Sequence, residues 1–433
     1  MKKPLVMGVG ITGTSVSKFL SENSIHHSVF DLNNNFKHLD ASFIDKFFKN
    51  EDISILEDIN QIYVSPGIKK SNLILSEASS KNIPITSDID LYIKKSSSKP
   101  ILITGTNGKT SVARMTDFLL KEFYGKDSIG LGGNIGEPIL GLLYKKLEYS
   151  IIEVSSYQLE HSKDISSEIS ILLNIGQDHL DRHVSLAEYR KVKEKVFNNS
   201  NFLIFQDITE PKLNKHNSKI NFLSIFNEFE EEFISLLPLG WPSHEILNLK
   251  ASISIYLGCE VLKGNIELSS VNKYLKNNLK KIILKFKNFK RSPHRFEFLG
   301  EKNGVLFVDD SKSTNIPSMI NALNSARELK EVNETILIIG GDSKGQDFGV
   351  LNLDHFKEVK KVFILGKDSK TILKSISNLS MCQEVNSMEE AVSFSKEISE
   401  IGSLVLLSPG CASLDMYNSF KERGEHFRSV AGF

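Results

Sequence analysis

Cysteine is scarce in this chain: three in 433 residues, at positions 259, 382 and 411, with no Cys-x-x-Cys pair. A scattered, odd set excludes a disulfide framework, argues against a thiolate zinc site and fits a reducing compartment. Net charge is also missing, since 53 Lys and Arg balance 53 Asp and Glu. A chain that coats nucleic acid or an anionic membrane shows a basic excess, so neither partner is expected, although a local basic pocket for phosphates remains open. No run of 18 apolar residues occurs, so no membrane insertion is expected. The apolar run after Met1-Lys2-Lys3-Pro4 is too short for a secretion signal. What is present is globular composition, 40% hydrophobic and 24% charged. The expectation is a cytoplasmic protein of about two to four domains.

Short apolar runs alternate with helix-length stretches, the βαβ rhythm of a parallel sheet. Leu5–Met7, Ser28–Phe30, Ile62–Val64 and Ile83–Ile85 read as strands of a first α/β domain. The polar run Lys94–Pro100 reads as a linker. A second unit opens at Ile101–Ile103 and continues through strands at Ser150–Val154, Ile169–Leu173 and Phe202–Phe205. The lysine-rich stretch Lys280–Arg291 marks a second boundary. Beyond it, Phe296–Phe298 and Val305–Val308 flank Asn303-Gly304, a strong hairpin signal. Strands at Ile336–Ile339, Val362–Leu365 and Leu404–Leu407 follow. The reading is three α/β domains, at 1–93, 94–290 and 291–433: a Rossmann-like domain, a P-loop-type domain and a second Rossmann-like domain.

Gly8-Val9-Gly10-Ile11-Thr12-Gly13 follows a strand and opens a helix, and Asp31 lies 23 residues beyond Gly8. That pattern lets a pyrophosphate approach a helix N-terminus while an acid takes ribose hydroxyls. It fits NAD, and it fits any other nucleotide diphosphate equally well. A second loop, Gly105-Thr106-Asn107-Gly108-Lys109-Thr110, follows a buried strand and precedes a helix striped by Val112, Met115, Leu119 and Phe123. This is P-loop logic: backbone N–H groups cradle phosphates, Lys109 adds charge, and the Thr110 hydroxyl can bind Mg²⁺. Two residues rather than the usual four separate its glycines. A dehydrogenase needs only the first loop and a simple NTPase only the second. Together they suggest ATP spent on a substrate that itself carries a nucleotide.

Glu153 closes an apolar strand, where a carboxylate beside a P-loop can bind Mg²⁺ directly or through water, or else pair with a basic residue. Asn174–Asp181, which contains His179, follows the next strand, at the edge where open α/β sheets bind ligands. Ser185-Leu186-Ala187-Glu188 is a capping box, and Lys193 falls on the apolar stripe Leu186, Tyr189, Val196 of the helix that it starts. An inward lysine is costly unless paired or neutralised; the plainer alternative is a snorkelling side chain.

In order along the chain, the second glycine loop, Glu153–Leu159, Asn174–Asp181, Pro293–Glu297, Asp309–Asn315 and Gly340–Asp342 resemble the Mur ligases of peptidoglycan synthesis. Ser408–Asp415, running on through Phe420, Arg423, Gly424 and Phe427, resembles the D-glutamate-adding branch. The resemblance spans essentially the whole chain. It implies an ATP-dependent amide ligase, acting as a monomer on UDP-N-acetylmuramoyl-L-alanine and D-glutamate. The first loop would then hold UDP rather than NAD, with Ile11, Thr12, Asp31 and Ser65 near it and Asn134 touching the same substrate. Gly105 to Ser111, Asn248, Arg295 and Asp310 would bind ATP. Thr110 and Glu153 would hold one Mg²⁺, and His179 with a carbamylated Lys193 a second. Lys312, Thr314, Lys344, Ser413, Leu414 and Phe420 would line the incoming amino acid and the reacting acyl group, with Lys109, His179, Lys193 and Lys312 in catalysis. A folylpolyglutamate synthase-like ligase with another acceptor is the alternative, and a nicotinamide oxidoreductase the more distant one. The family's usual His-Asn-x-x-Asn reads His244-Glu245-Ile246-Leu247-Asn248 here. Glu245 only accepts hydrogen bonds at neutral pH, so nucleotide affinity or selectivity is expected to differ.

Overall fold

The computed structural model describes the chain except residues 1, 34, 164, 177, 179–181, 184, 207–208, 212–217, 238–240, 330 and 377–380. Its described residues form three sheets. The first has β1 (Lys3–Met7), β2 (His27–Phe30), β3 (Ile44–Phe48), β4 (Ile59–Val64) and β5 (Ile85–Thr86), in the order β3-β2-β1-β4-β5, all parallel. The second has β6 (Lys99–Thr104), β7 (Ile129–Gly133), β8 (Tyr149–Glu153), β9 (Ser166–Leu172), β10 (Asn199–Phe205) and β11 (Ser218–Asn221). Their order is β11-β10-β9-β6-β8-β7, again parallel. The third has β12 (Glu297–Lys302), β13 (Val305–Asp309), β14 (Glu334–Gly340), β15 (Val359–Leu365), β16 (Cys382–Glu384) and β17 (Ser403–Leu407). It runs β12-β13-β17-β14-β15-β16, parallel but for the β12–β13 hairpin. Asn303 (φ 53°) and Gly304 (φ 78°) form that hairpin's turn, the left-handed pair that matches strand twist.

Helices cover both faces of these sheets, which is why the central strands read as unbroken apolar runs. Ile101, Leu102 and Ile103 are all fully buried. Packing groups the described residues into two compact units. One is Met1–Ile175 with Ala187–Ile234 and Leu249–Phe286, which carries the first two sheets. The other is Gly176–Leu186 with Ser235–Asn248 and Lys287–Phe433, which carries the third. Among the described residues no helix is long and apolar enough to cross a membrane.

The expected linker at Lys94–Pro100 is not one. A helix, Asp88–Lys95, runs into it, and β6 begins at Lys99. Between them Ser98 is buried, bonded to the Tyr92 hydroxyl and to Ser150 Oγ, both at 2.9 Å. Ile89, Leu91 and Tyr92 of that helix join one hydrophobic core with residues of the first two sheets, such as Val6 and Ile152. The expected strand at Ile83–Ile85 shrinks to Ile85–Thr86, with Pro84 contributing only its carbonyl, to Ile62 N–H at 2.8 Å.

Candidate active site

Strand order reverses beside β1, between β2 and β4, and beside β6, between β9 and β8. Both glycine loops start at these switch points, where open α/β sheets bind ligands. In the first loop Gly8 has φ +83°, and a Cβ on Gly13 would come 1.9 Å from the Gly8 carbonyl oxygen. Ser65 Oγ donates to that same oxygen at 2.6 Å. Asp31, buried, accepts from Val9 N–H at 2.7 Å and Asn33 N–H at 2.8 Å, so its carboxylate shapes the loop. The helix Ile11–Glu22 starts at Gly10 with no side-chain cap. Ile11 projects from it, 80% exposed. Beside it lies a cleft of about 960 Å³, lined by Gly10, Ile11, Asn35 and His38 on one side and Pro138 and Tyr144 on the other.

The second loop is pinned from β9. Asn107 N–H donates to Asn174 Oδ1 at 2.8 Å, and Thr106 N–H to the Asn174 carbonyl at 3.0 Å. Gly108, left-handed at φ 84°, opens the helix Lys109–Tyr124, which has no side-chain cap and no acid in its first turn. Its leading N–H groups and dipole favour an anion. Lys109 Nζ lies on the carbonyls of Gly105 and Thr106, both at 2.8 Å. Thr110 and the buried Ser111 follow in that first turn.

At the end of neighbouring β8, Glu153 is 1% exposed. Its Oε1 accepts from Asn134 Nδ2 at 2.9 Å, and among the described residues its Oε2 is buried with no hydrogen-bond partner. A buried carboxylate oxygen left unpaired is costly, and a hard cation would resolve that cost. The buried, unpaired Glu153 oxygen therefore fits a hard cation such as Mg²⁺. His179 lies outside the described residues.

Lys193 stands in the helix Leu186–Glu194 and is 1% exposed. Its Nζ donates to the Gly105 carbonyl at 2.9 Å and sits 4.8 Å from the Tyr189 ring centre. The snorkelling alternative is thereby excluded. The stripe itself is shorter than expected: Tyr189 and Val196 are buried, but Leu186 is 42% exposed at the helix start.

In the second unit the strand ends of β13, β14 and β17 carry the remaining candidates. Asp310, buried, accepts from Ser408 Oγ at 2.8 Å and from Phe296 N–H at 3.0 Å, and burial pushes its pKa up to about 7. Arg295 lies between His294 (φ 60°) and Phe296 (φ 44°). Left-handed residues of this kind persist only where neighbours impose them. Here His294 Nδ1 bonds Asp309 Oδ2 at 2.6 Å, which raises the imidazole pKa. A Cβ on Gly424 would fall 2.3 Å from His294 Nδ1, so glycine is required there. His294, Glu297 and Asp309 cluster like metal ligands. Glu297 is taken by Arg428 (2.7 Å) and His294 N–H (2.8 Å), and Asp309 Oδ1 by Ser311 N–H (2.9 Å). They knit a turn instead. The tandem Asp309-Asp310 was the available sequence signal for this support.

Lys312 Nζ lies 4.0 Å from the Phe420 ring centre. Ser413 is buried, Leu414 exposed at 72%, and Thr314 and Lys344 are half-buried. Arg423, 3% exposed, donates to the carbonyls of Ser311 (2.8 Å) and Cys411 (3.0 Å) and ties the loops after β13 and β17 together. Asn248 and Glu245 are buried near the start of the helix Ser243–Leu262. Burial lowers the pKa of neighbouring His244, with the Glu245 charge opposing it.

Three family models match. They are the Mur ligase MurD-like N-terminal domain (residues 2–87), the Mur ligase middle domain (103–235) and the Mur ligase glutamate ligase domain (294–411). The UDP-N-acetylmuramoylalanine–D-glutamate ligase of Nitrosomonas europaea is 33% identical over 460 residues, covering 99% of this chain and 96% of that one. The enzyme of the same name from Buchnera aphidicola (subsp. Acyrthosiphon pisum) is 33% identical, covering 98% and 97%. In fold, the chain is similar to the UDP-N-acetylmuramate–alanine ligase of Thermotoga maritima, with a TM-score of 0.53 at 16% identity over 99% of each chain.

Proposed function

We infer the activity from one premise: the chain belongs to the Mur ligase family. It is an ATP-dependent amide ligase of peptidoglycan synthesis that joins D-glutamate to UDP-N-acetylmuramoyl-L-alanine. The observation that carries this reading is similarity along nearly the full length to ligases of that one specificity. We assign 1–93 to the UDP substrate, 94–290 to ATP and 291–433 to the amino acid; one chain holds all three, so a cytoplasmic monomer suffices.

A carboxylate repels nucleophiles and has no leaving group. Transfer of the ATP γ-phosphoryl to the alanyl carboxylate makes an acyl phosphate and ADP. The neutral amine of D-glutamate then attacks the acyl carbon, the C–O bond to phosphate breaks, and the amine loses a proton to leave an amide. The Gly105–Thr110 backbone cradles the phosphates, and Lys109 turns from the loop carbonyls to the transferring group. Thr110 and Glu153 would hold one Mg²⁺, and His179 with Lys193 a second; these ions supply charge neutralisation. For that role the Lys193 ammonium first loses one proton, its nitrogen then bonds to the carbon of CO₂, and a second proton leaves that nitrogen. The resulting carbamate converts a buried cation into an anionic oxygen ligand. Arg295, Asp310 and Asn248 serve the nucleotide; Lys312, Thr314, Lys344, Ser413, Leu414 and Phe420 serve the amino acid and the acyl group. The cleft beside Ile11 and Thr12, with Asp31 and Ser65 holding its loop, lies within the size range of small-molecule sites.

Phosphate release with ATP tests this directly. It is expected only when UDP-N-acetylmuramoyl-L-alanine and D-glutamate are both present, with glycine, L-alanine and L-glutamate poor replacements. Equal turnover with L-alanine and the unsubstituted muramyl nucleotide would refute it.

A further inference from the structure

We infer that Lys367, Asp368 and Asp415 are positioning residues for the incoming amino acid, clamping together the two loops that carry Lys344 and Ser413. The inference rests on the D-glutamate reading above. One loop follows β14 and the other follows β17. They meet in a two-bond bridge: Asp342 N–H donates to the Ala412 carbonyl at 3.1 Å, and Ala412 N–H to that of Asp342 at 2.8 Å. The Asp342 carboxylate folds its own loop, accepting Lys344 N–H at 2.9 Å and Lys367 Nζ at 3.0 Å. Lys344 sits there at φ 50°, a conformation that a non-glycine residue holds only under constraint.

The constraint comes from a third loop, Gly366–Asp368, after β15. Asp368 Oδ2 accepts from Ser343 N–H at 2.8 Å and Ser343 Oγ at 2.7 Å, and its own N–H donates to the Gly341 carbonyl at 3.2 Å. Lys367 N–H donates to Asp415 Oδ2 at 2.9 Å. Two consecutive residues, Lys367 and Asp368, thus hold both neighbours at once. Gly366 makes the approach possible, since a Cβ there would come 2.7 Å from both Asp415 Oδ2 and Gly341 Cα. A substrate with two carboxylates is discriminated by where its cationic and hydroxyl partners stand, and a misplacement of about 1 Å costs on the order of 100-fold. The Lys367 side chain is 60% exposed, and exposed ion pairs add little to stability. Removing it loosens the clamp without unfolding the domain.

The test compares Lys367→Met and Asp368→Asn with wild type, measuring KM separately for D-glutamate, ATP and the UDP substrate, with Lys367→Arg as the conservative variant. The KM for D-glutamate is expected to rise about tenfold or more in both variants, with the other two constants unchanged and Lys367→Arg close to wild type. An unchanged KM for D-glutamate in both, or an equal rise in all three constants, overturns the inference. A wild-type protein that releases no phosphate with D-glutamate defeats the functional reading itself, before any variant is made.

Discussion

Asp310 shows how one buried group ties chemistry to pH. Burial raises its pKa to about 7, against the lowering effect of the Ser408 hydroxyl and the Phe296 N–H. Between the ordinary carboxylate range and about 7 the folded chain keeps a proton that the unfolded chain has lost. Stability therefore falls as pH rises through that window. The proposed contact of Asp310 with the nucleotide has the opposite sign, because only the ionised carboxylate is purely an acceptor. The KM for ATP is expected to fall severalfold as pH rises from below to above about 7. In Asp310→Asn both that trend and the matching drop in Tm are expected to flatten; a pH-steep KM in the variant would show that another group titrates. Lys193 makes a sharper case. Its Nζ is buried on the Gly105 carbonyl, and the proposed carbamate would turn that cation into an anionic metal ligand. Lys193→Ala and Lys193→Arg are both expected to lose about 100-fold or more in turnover, with acetate partly restoring the alanine variant. Near-wild-type activity in Lys193→Arg would remove the carbamate from the mechanism.

At the scale of elements, the two glycine loops belong to different sheets, so their ligands separate. Lys109→Ala is expected to cost roughly a hundred- to a thousandfold in turnover while calorimetry finds UDP-substrate binding intact. Loss of binding equal to that of Asp31→Ala would show that the loops act as one site. Both loops were legible in the sequence because glycine, strand and helix signals coincide within a dozen residues. The β12–β13 hairpin was legible for the same reason, through Asn303-Gly304. Other elements carry no such local signature. β3 is an edge strand with Asp45 and Lys46 among its five residues, and β7 holds three glycines in five; neither has the apolar run of a buried strand. β16 is three residues long. Lys94–Pro100 looks polar, yet its serines pair with one another and with Tyr92 and Ser150, contacts that composition cannot reveal. The residues that brace the site are also distant in sequence. Asp309 meets His294 because the antiparallel β12–β13 hairpin returns the end of β13 to the start of β12, and Lys367 meets Asp342 and Asp415 because the parallel strands β14, β15 and β17 bring their C-terminal ends together.

Across the whole molecule, three sheets each offer C-terminal strand ends, and the proposed roles spread over them: uridine nucleotide at the first, ATP at the second, and the amino acid at the third, which also lends Arg295 and Asp310 to the nucleotide. A charge-balanced chain suits this division, because each anionic ligand meets local N–H groups and lysines rather than a general basic surface. The account's central claim is that ATP energy passes through an acyl phosphate on the alanyl carboxylate. The most direct measurement uses UDP-N-acetylmuramoyl-L-alanine labelled with oxygen-18 in that carboxylate, together with ATP and D-glutamate, and follows the label by mass spectrometry of the released phosphate. One labelled oxygen per amide formed is expected in inorganic phosphate, with none in ADP. Unlabelled phosphate alongside normal amide formation would contradict the acyl phosphate, and label found only in AMP would point to an acyl adenylate instead.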